Sequence, residues 1–125
     1  MAAAVTQTLD PNVGQQSHYH VVCAATTNAT LLKAGPASVG AVNIANVAAA
    51  ARFVKLYDKA TAPNPATDVP VRTFMVPAGA NFSPYIGGAG LKLSKGLGFA
   101  IVTGIADNNV TAPAAADVAF DITYA

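Results

Sequence analysis

His18 and His20, one residue apart, are the clearest chemistry-bearing pair in the chain. Side chains alternate along an extended backbone, so both imidazoles fall on one side with Tyr19 on the other. That is half of a metal site. Zinc normally takes four ligands and Cys23 lies off this alternation, on the opposite face, so the pair reads as the polar start of a strand. Asp107-Asn108-Asn109 offers oxygen ligands for calcium, yet it lacks the glycine and distal Glu of an EF-hand loop and reads as a turn. Nucleophilic catalysis needs a Ser or Cys, a base and an orienting acid held together. Ser17, Ser38, Ser83 and Ser94 are present, but none sits in a Gly-x-Ser-x-Gly elbow. All six acids are Asp, mostly in turn segments, which is a poor basis for paired-carboxylate chemistry. Gly87-Gly88-Ala89-Gly90 matches a phosphate cradle only in its glycines, with no Lys-Ser/Thr after it and no helix start. The expectation from these residues is a chain with no catalytic, metal or cofactor site.

The elements that would position such residues are short strands. Runs with strand character recur at 19–26, 30–33, 38–46, 52–57, 71–76, 90–93, 99–103 and 118–124, about the strand count of a jelly roll. Gly35-Pro36, Pro63-Asn64-Pro65, Pro77-Ala78-Gly79, Lys95-Gly96 and Asp107-Asn108-Asn109 punctuate them. Val42 and Ile44 oppose Asn43 and Ala45, and Phe120, Ile122 and Tyr124 oppose Asp121 and Thr123, the alternation of half-buried antiparallel sheets. In Arg52–Tyr57 both alternating sets are largely apolar, as expected of a strand with partners on both sides. Residues 58–67 carry Pro63 and Pro65 without apolar periodicity, and read as a loop. The alanine run within 45–53 has high helix propensity, but Gly40 and Asn43 before it and Val54 after it favour a loop between strands. Residues 1–17, with Pro11 and Gly14 against a helix, read as an extended N-terminal arm to a single β-sandwich domain over 18–125.

Composition narrows the function classes. One domain is the expectation for 125 residues. Hydrophobic residues make up 53%, a figure inflated by alanine tracts, while charged residues are 10% against the usual ~25%. A surface so poor in charge is expected to meet other protein. The net charge is +1 and the seven Lys and Arg are scattered, so there is no electrostatic footprint for nucleic acid. Phe74, Phe82, Tyr85 and Phe99 are too widely spaced for a base-stacking platform. Met1–Asn12 lacks the basic and apolar regions of a signal peptide, and no window reaches the ~18 apolar residues of a membrane span. The lone Cys23, between Val21-Val22 and Ala24-Ala25, makes no intrachain disulfide and reads as a small buried hydrophobe.

Val54-Lys55-Leu56-Tyr57-Asp58-Lys59-Ala60-Thr61-Ala62-Pro63, followed by Thr67-Asp68-Val69-Pro70-Val71, resembles small structural proteins of tailed bacteriophages. The likeness continues through Gly96-Leu97-Gly98-Phe99-Ala100-Ile101, the segment from Gly104 to Asp117, and Ile122-Thr123-Tyr124-Ala125, and spans roughly residues 38–125. It implies an all-β, antiparallel, jelly-roll-like sandwich serving as a capsid decoration, or cement, protein. Such a protein binds the outer head surface, takes the major capsid protein as its partner, and is made in the host cytoplasm. Self-association follows the default of closed symmetry, with a homotrimer expected and a dimer as the alternative. Expected contact residues are Val5, Leu9 and Val13 in the arm, with Phe82 and Tyr85 around Pro84. The same exposed aromatics would serve the rival reading, a tail or head-fibre module that binds host surface or glycan. An enzyme on this scaffold would need a convergent set of His and carboxylate groups.

Overall fold

The computed structural model describes residues 4–7, 17–87 and 90–125, and among them the chain is all-β. Its strands are β1 (Ala4–Gln7), β2 (Ser17–Val22), β3 (Thr30–Ala34), β4 (Ala37–Asn46), β5 (Arg52–Tyr57), β6 (Arg72–Val76), β7 (Asn81–Phe82), β8 (Leu91–Leu93), β9 (Gly96–Val102) and β10 (Val118–Tyr124). A six-stranded sheet runs β1-β2-β10-β4, with β7 and β8 both on the far edge of β4. A four-stranded sheet runs β3-β9-β5-β6. All pairings are antiparallel, and the two sheets pack as a β-sandwich. The pairs nest, β5 with β6, β4 with β7 and β8, β3 with β9 and β2 with β10, as if one long hairpin had been rolled up.

Alternation builds the core. Phe120, Ile122, Val42 and Ile44 from the first sheet meet Val54, Leu56, Phe99 and Ile101 from the second, all nearly fully buried. The Phe99 ring sits 4.9 Å from Phe120 and 5.7 Å from Tyr19, centroid to centroid, tying the sheets together. One irregularity matters for the outer surface. In β4 the buried positions shift from Ala37 and Val39 to Val42 and Ile44, a change of parity, and the β10 register slips there between Thr123 and Tyr124. The extra residue is absorbed as a bulge around Gly40 and Ala41, which keeps both halves of β4 facing the core.

The outer face of the four-stranded sheet is roofed by chain. Phe53, Lys55, Tyr57, Ala100 and Val102 point away from the core yet are buried. The segment 103–113 covers Lys55, whose Nζ donates to the Ala106 carbonyl. The segment 58–71 presses Pro63 against Gly98, so tightly that a Cβ there would lie 2.8 Å from the Pro63 ring. This double roof is why β5 reads apolar on both alternations.

Strand boundaries differ from expectation in instructive places. The run expected over 19–26 ends at Val22 because Asn28, with φ of 55°, turns its amide on the chain: Oδ1 accepts from the Ala24 N–H and Nδ2 donates to the Ala24 and Thr26 carbonyls. Those groups leave the ladder for a side chain. The alanine run after β4 is a loop organised by Asn46, as described below. Within the segment expected to be an extended arm, Ala4–Gln7 pairs with β2 of the same chain, Val5 opposite His20. Leu9 and Val13 lie outside the described residues.

Candidate functional site

The outer face of the six-stranded sheet carries the polar side chains left over from core formation. Directly paired residues share a face, so Val5, His20, Asp121 and Asn43 form one cross-strand row through β1, β2, β10 and β4. The next row holds His18, Thr123 and Ala41. A carboxylate only accepts, so His20 Nδ1 donates to Asp121 Oδ1, at 2.6 Å, and His18 Nε2 stands 3.8 Å from the same oxygen. At the other end of the row the Ser83 hydroxyl donates to Asn43 Oδ1 at 2.6 Å.

Beside these rows lies a groove of about 470 Å³. Its floor is shallow in side chains because the β4 bulge presents Gly40 and Ala41, and its wall is the segment Ser83–Gly87 that follows β7. His18, Asn43, Asp121 and Thr123 supply the polar edge, and Pro84, Tyr85 and Ile86 the apolar one. Tyr85 is 86% exposed, whereas Phe82 on β7 is anchored with its ring edge-on to Phe74 at 6.4 Å. The two expected contact aromatics therefore have different jobs: Phe82 fastens the segment, and Tyr85 is presented by it.

The pair His18 and His20 does gain a third neighbour, Asp121, which reading along the sequence missed. Among the described residues, however, no group of three His, Cys or Asp side chains is placed to hold a metal ion. The outward positions of Asp121 and Asn43 follow from alternation. What alternation withholds is pairing order, and it is β10 lying between β2 and β4 that brings them beside the histidines.

A second, smaller pocket of about 260 Å³ lies under the roof of the other sheet, lined by Tyr57, Asp58, Lys59, Asp68, Val69 and Lys95. Its acids are engaged in holding loops. Asp58 accepts from the backbone N–H groups of Lys95 at 2.8 Å, Gly96 at 3.2 Å and Ser94 at 3.3 Å, and these hold its carboxyl below the usual range. Asp68 accepts from the Asn64 N–H and from Lys59 Nζ, each at 2.7 Å, with the same effect. Burial pushes the Lys55 ammonium down, against the pull of Asp107, and pushes the Tyr57 phenol up to about 12. Among the described residues the Tyr57 hydroxyl has no hydrogen-bond partner.

The remaining candidates resolve as structure. Cys23 is buried, its Sγ 3.4 Å from the Ala114 carbonyl and the Val118 N–H. Asp107 and Asn108 form a turn closed by the Asn109 N–H donating to the Ala106 carbonyl. Val5 is exposed on β1. Compared with known proteins, the chain matches no family model and no curated protein.

Proposed function

We propose that this chain is a structural protein of a tailed-phage virion, a decoration protein that binds the outside of the head through apolar contacts. The observation that carries the proposal is the β6 edge of the four-stranded sheet. Among the described residues β6 pairs with β5 alone, and it sets Met75 on its exposed side, with Val69 and Val71 exposed in the segment just before it. Val69 is 71% and Met75 53% exposed. An open edge with apolar side chains is a liability in a protein that stays alone, and natural sequences usually blunt it with charge. Here the strand carries one charge, Arg72, whose guanidinium lies over the Phe74 ring at 5.5 Å, and Val69, Val71 and Met75 stay exposed, so the edge suits a partner surface. The blocks that carry the phage resemblance, β5, β9 and the roofing segments, build a rigid scaffold in which the acids hold turns, which fits a structural role. A protein that binds the assembled shell better than its separate parts stabilises the shell by mass action.

The test adds purified protein to heads assembled without it, counts bound copies by cryo-electron microscopy, and compares head survival on heating. Symmetric binding with raised survival is expected, abolished by Met75→Glu in a variant that keeps its fold. Density at the tail instead, or no binding to any virion part, would sink the proposal.

A further inference from the structure

From the groove on the outer face of the six-stranded sheet we infer a binding site for a neutral saccharide, one pyranose ring stacked on Tyr85 with its hydroxyl groups on Asp121, Asn43 and Thr123. This goes beyond shell binding, since the groove and the β6 edge lie on different sheets.

Four observations point to a sugar. The first is Tyr85 itself: a large aromatic ring left 86% exposed, immediately after Pro84, beside a cavity. Aromatic rings are usually buried for their area, and one presented beside a pocket offers a flat apolar platform. A pyranose has a matching face of C–H groups. The second is the polar edge, which mixes an acceptor-only carboxylate, an amide with donors and an acceptor, and a hydroxyl that does both. Sugar hydroxyls likewise donate and accept at once. Side chains on neighbouring strands stand about 5 Å apart, the breadth of one sugar ring, and Asn43 and Asp121 are such neighbours. The third is charge. No Lys or Arg lines the groove among the described residues, and its one carboxylate, Asp121, is already engaged by His20. Phosphate, sulfate and carboxylate ligands find no Lys or Arg there, and the one imidazole of the lining, His18, already stands 3.8 Å from the Asp121 carboxylate. The fourth is pre-organisation. Asp121 is held by His20 and Asn43 by Ser83, so two polar groups are fixed before a ligand arrives. The volume, about 470 Å³, falls within the range of small-ligand sites.

A shallow, open site of this kind binds a single ring with an affinity on the order of millimolar, so the experiment must read weak binding. The full chain, labelled with 15N, is titrated by NMR with glucose, galactose, mannose and N-acetylglucosamine, each up to roughly 100 mM. At least one sugar is expected to shift the amides of 40–43, 85–87 and 123 together. Tyr85→Ala should weaken that binding at least about tenfold while leaving the remaining spectrum in place, and Tyr85→Phe should retain it. Asp121→Asn should weaken it as well, by removing the acceptor. The inference is overturned if none of the four sugars shifts these amides, if the shifts fall elsewhere, or if Tyr85→Ala binds as well as the parent. Head binding, measured on the same variants, stays unchanged, so loss of one property does not imply loss of the other.

Discussion

Lys55 and Tyr57 show how single residues keep polar chemistry under a roof. They sit two apart on β5, both facing away from the core and both buried by the segments 58–71 and 103–113. Lys55 finds the Ala106 carbonyl, whereas the Tyr57 hydroxyl has no partner among the described residues. An unpaired buried hydroxyl costs its desolvation and returns nothing, so Tyr57→Phe is expected to stabilise the protein by about 1 kcal/mol at neutral pH. The pH dependence follows from the sign of the shift. A phenol raised from 10.0 to about 12 stays protonated in the fold while the unfolded chain ionises. Its contribution is therefore full below pH 10 and is lost as pH rises towards 12. Lys55, shifted down, acts in the opposite sense, and comparing the parent with Tyr57→Phe isolates the tyrosine. Urea titrations of both proteins between pH 8 and pH 12 should diverge on the alkaline side, the parent losing stability faster; parallel curves would refute this assignment.

At the scale of elements, most of the sandwich was legible. The strands β3, β4, β5, β6, β8 and β10 fall where alternation and turn residues put them: β4 and β10 alternate buried and half-buried positions, β5 is buried on both faces, and Gly35, Pro36, Pro77 and Gly90 stop β3, open β4, stop β6 and open β8. The two-residue β7 was not legible, since its strand character comes from the Ile44–Phe82 pairing and not from its own sequence. The groove was hidden for the same reason: Tyr85 could be singled out as an aromatic beside Pro84, but its neighbours Asp121 and Thr123 lie far along the chain. Asn46 is the sharpest case. The sequence marks it as the end of a strand, yet its side chain, 1% exposed, ties both sheets: Nδ2 donates to the carbonyls of Ala50, Val76 and Pro77, and Oδ1 accepts from the Ala48 N–H. That set fixes the loop after β4, where alanines would otherwise favour helix. Asn46→Ala leaves buried backbone groups unpaired and is expected to cost roughly 2–3 kcal/mol, read as a lower urea midpoint with unchanged slope. A loss under about 0.5 kcal/mol, the level of an ordinary surface change, would mean the loop holds itself.

For the whole molecule, nesting of the pairs makes the fold depend on contacts between distant segments. β2 closes on β10, and the Cys23 N–H donates to the Val118 carbonyl while the Cys23 carbonyl accepts from the Ala116 N–H. Exposing the Cys23 thiol thus requires the first and last parts of the domain to separate, so the single cysteine of the chain reports on global opening. A local fray would not suffice, because the thiol is packed inside the same core as Phe99 and Phe120. Phe99→Ala removes the ring that bridges the sheets, and such truncations cost roughly 3–5 kcal/mol. Tenfold per 1.4 kcal/mol converts even the lower figure to a rise in the open population of roughly 100-fold. Labelling of Cys23 by a thiol reagent in native buffer should therefore accelerate by about that factor in Phe99→Ala, and the parent's protection should match its unfolding free energy from urea. Equal labelling rates in the two proteins would place the opening in the 23–28 segment alone, and the nested pairing would then not govern stability as a unit.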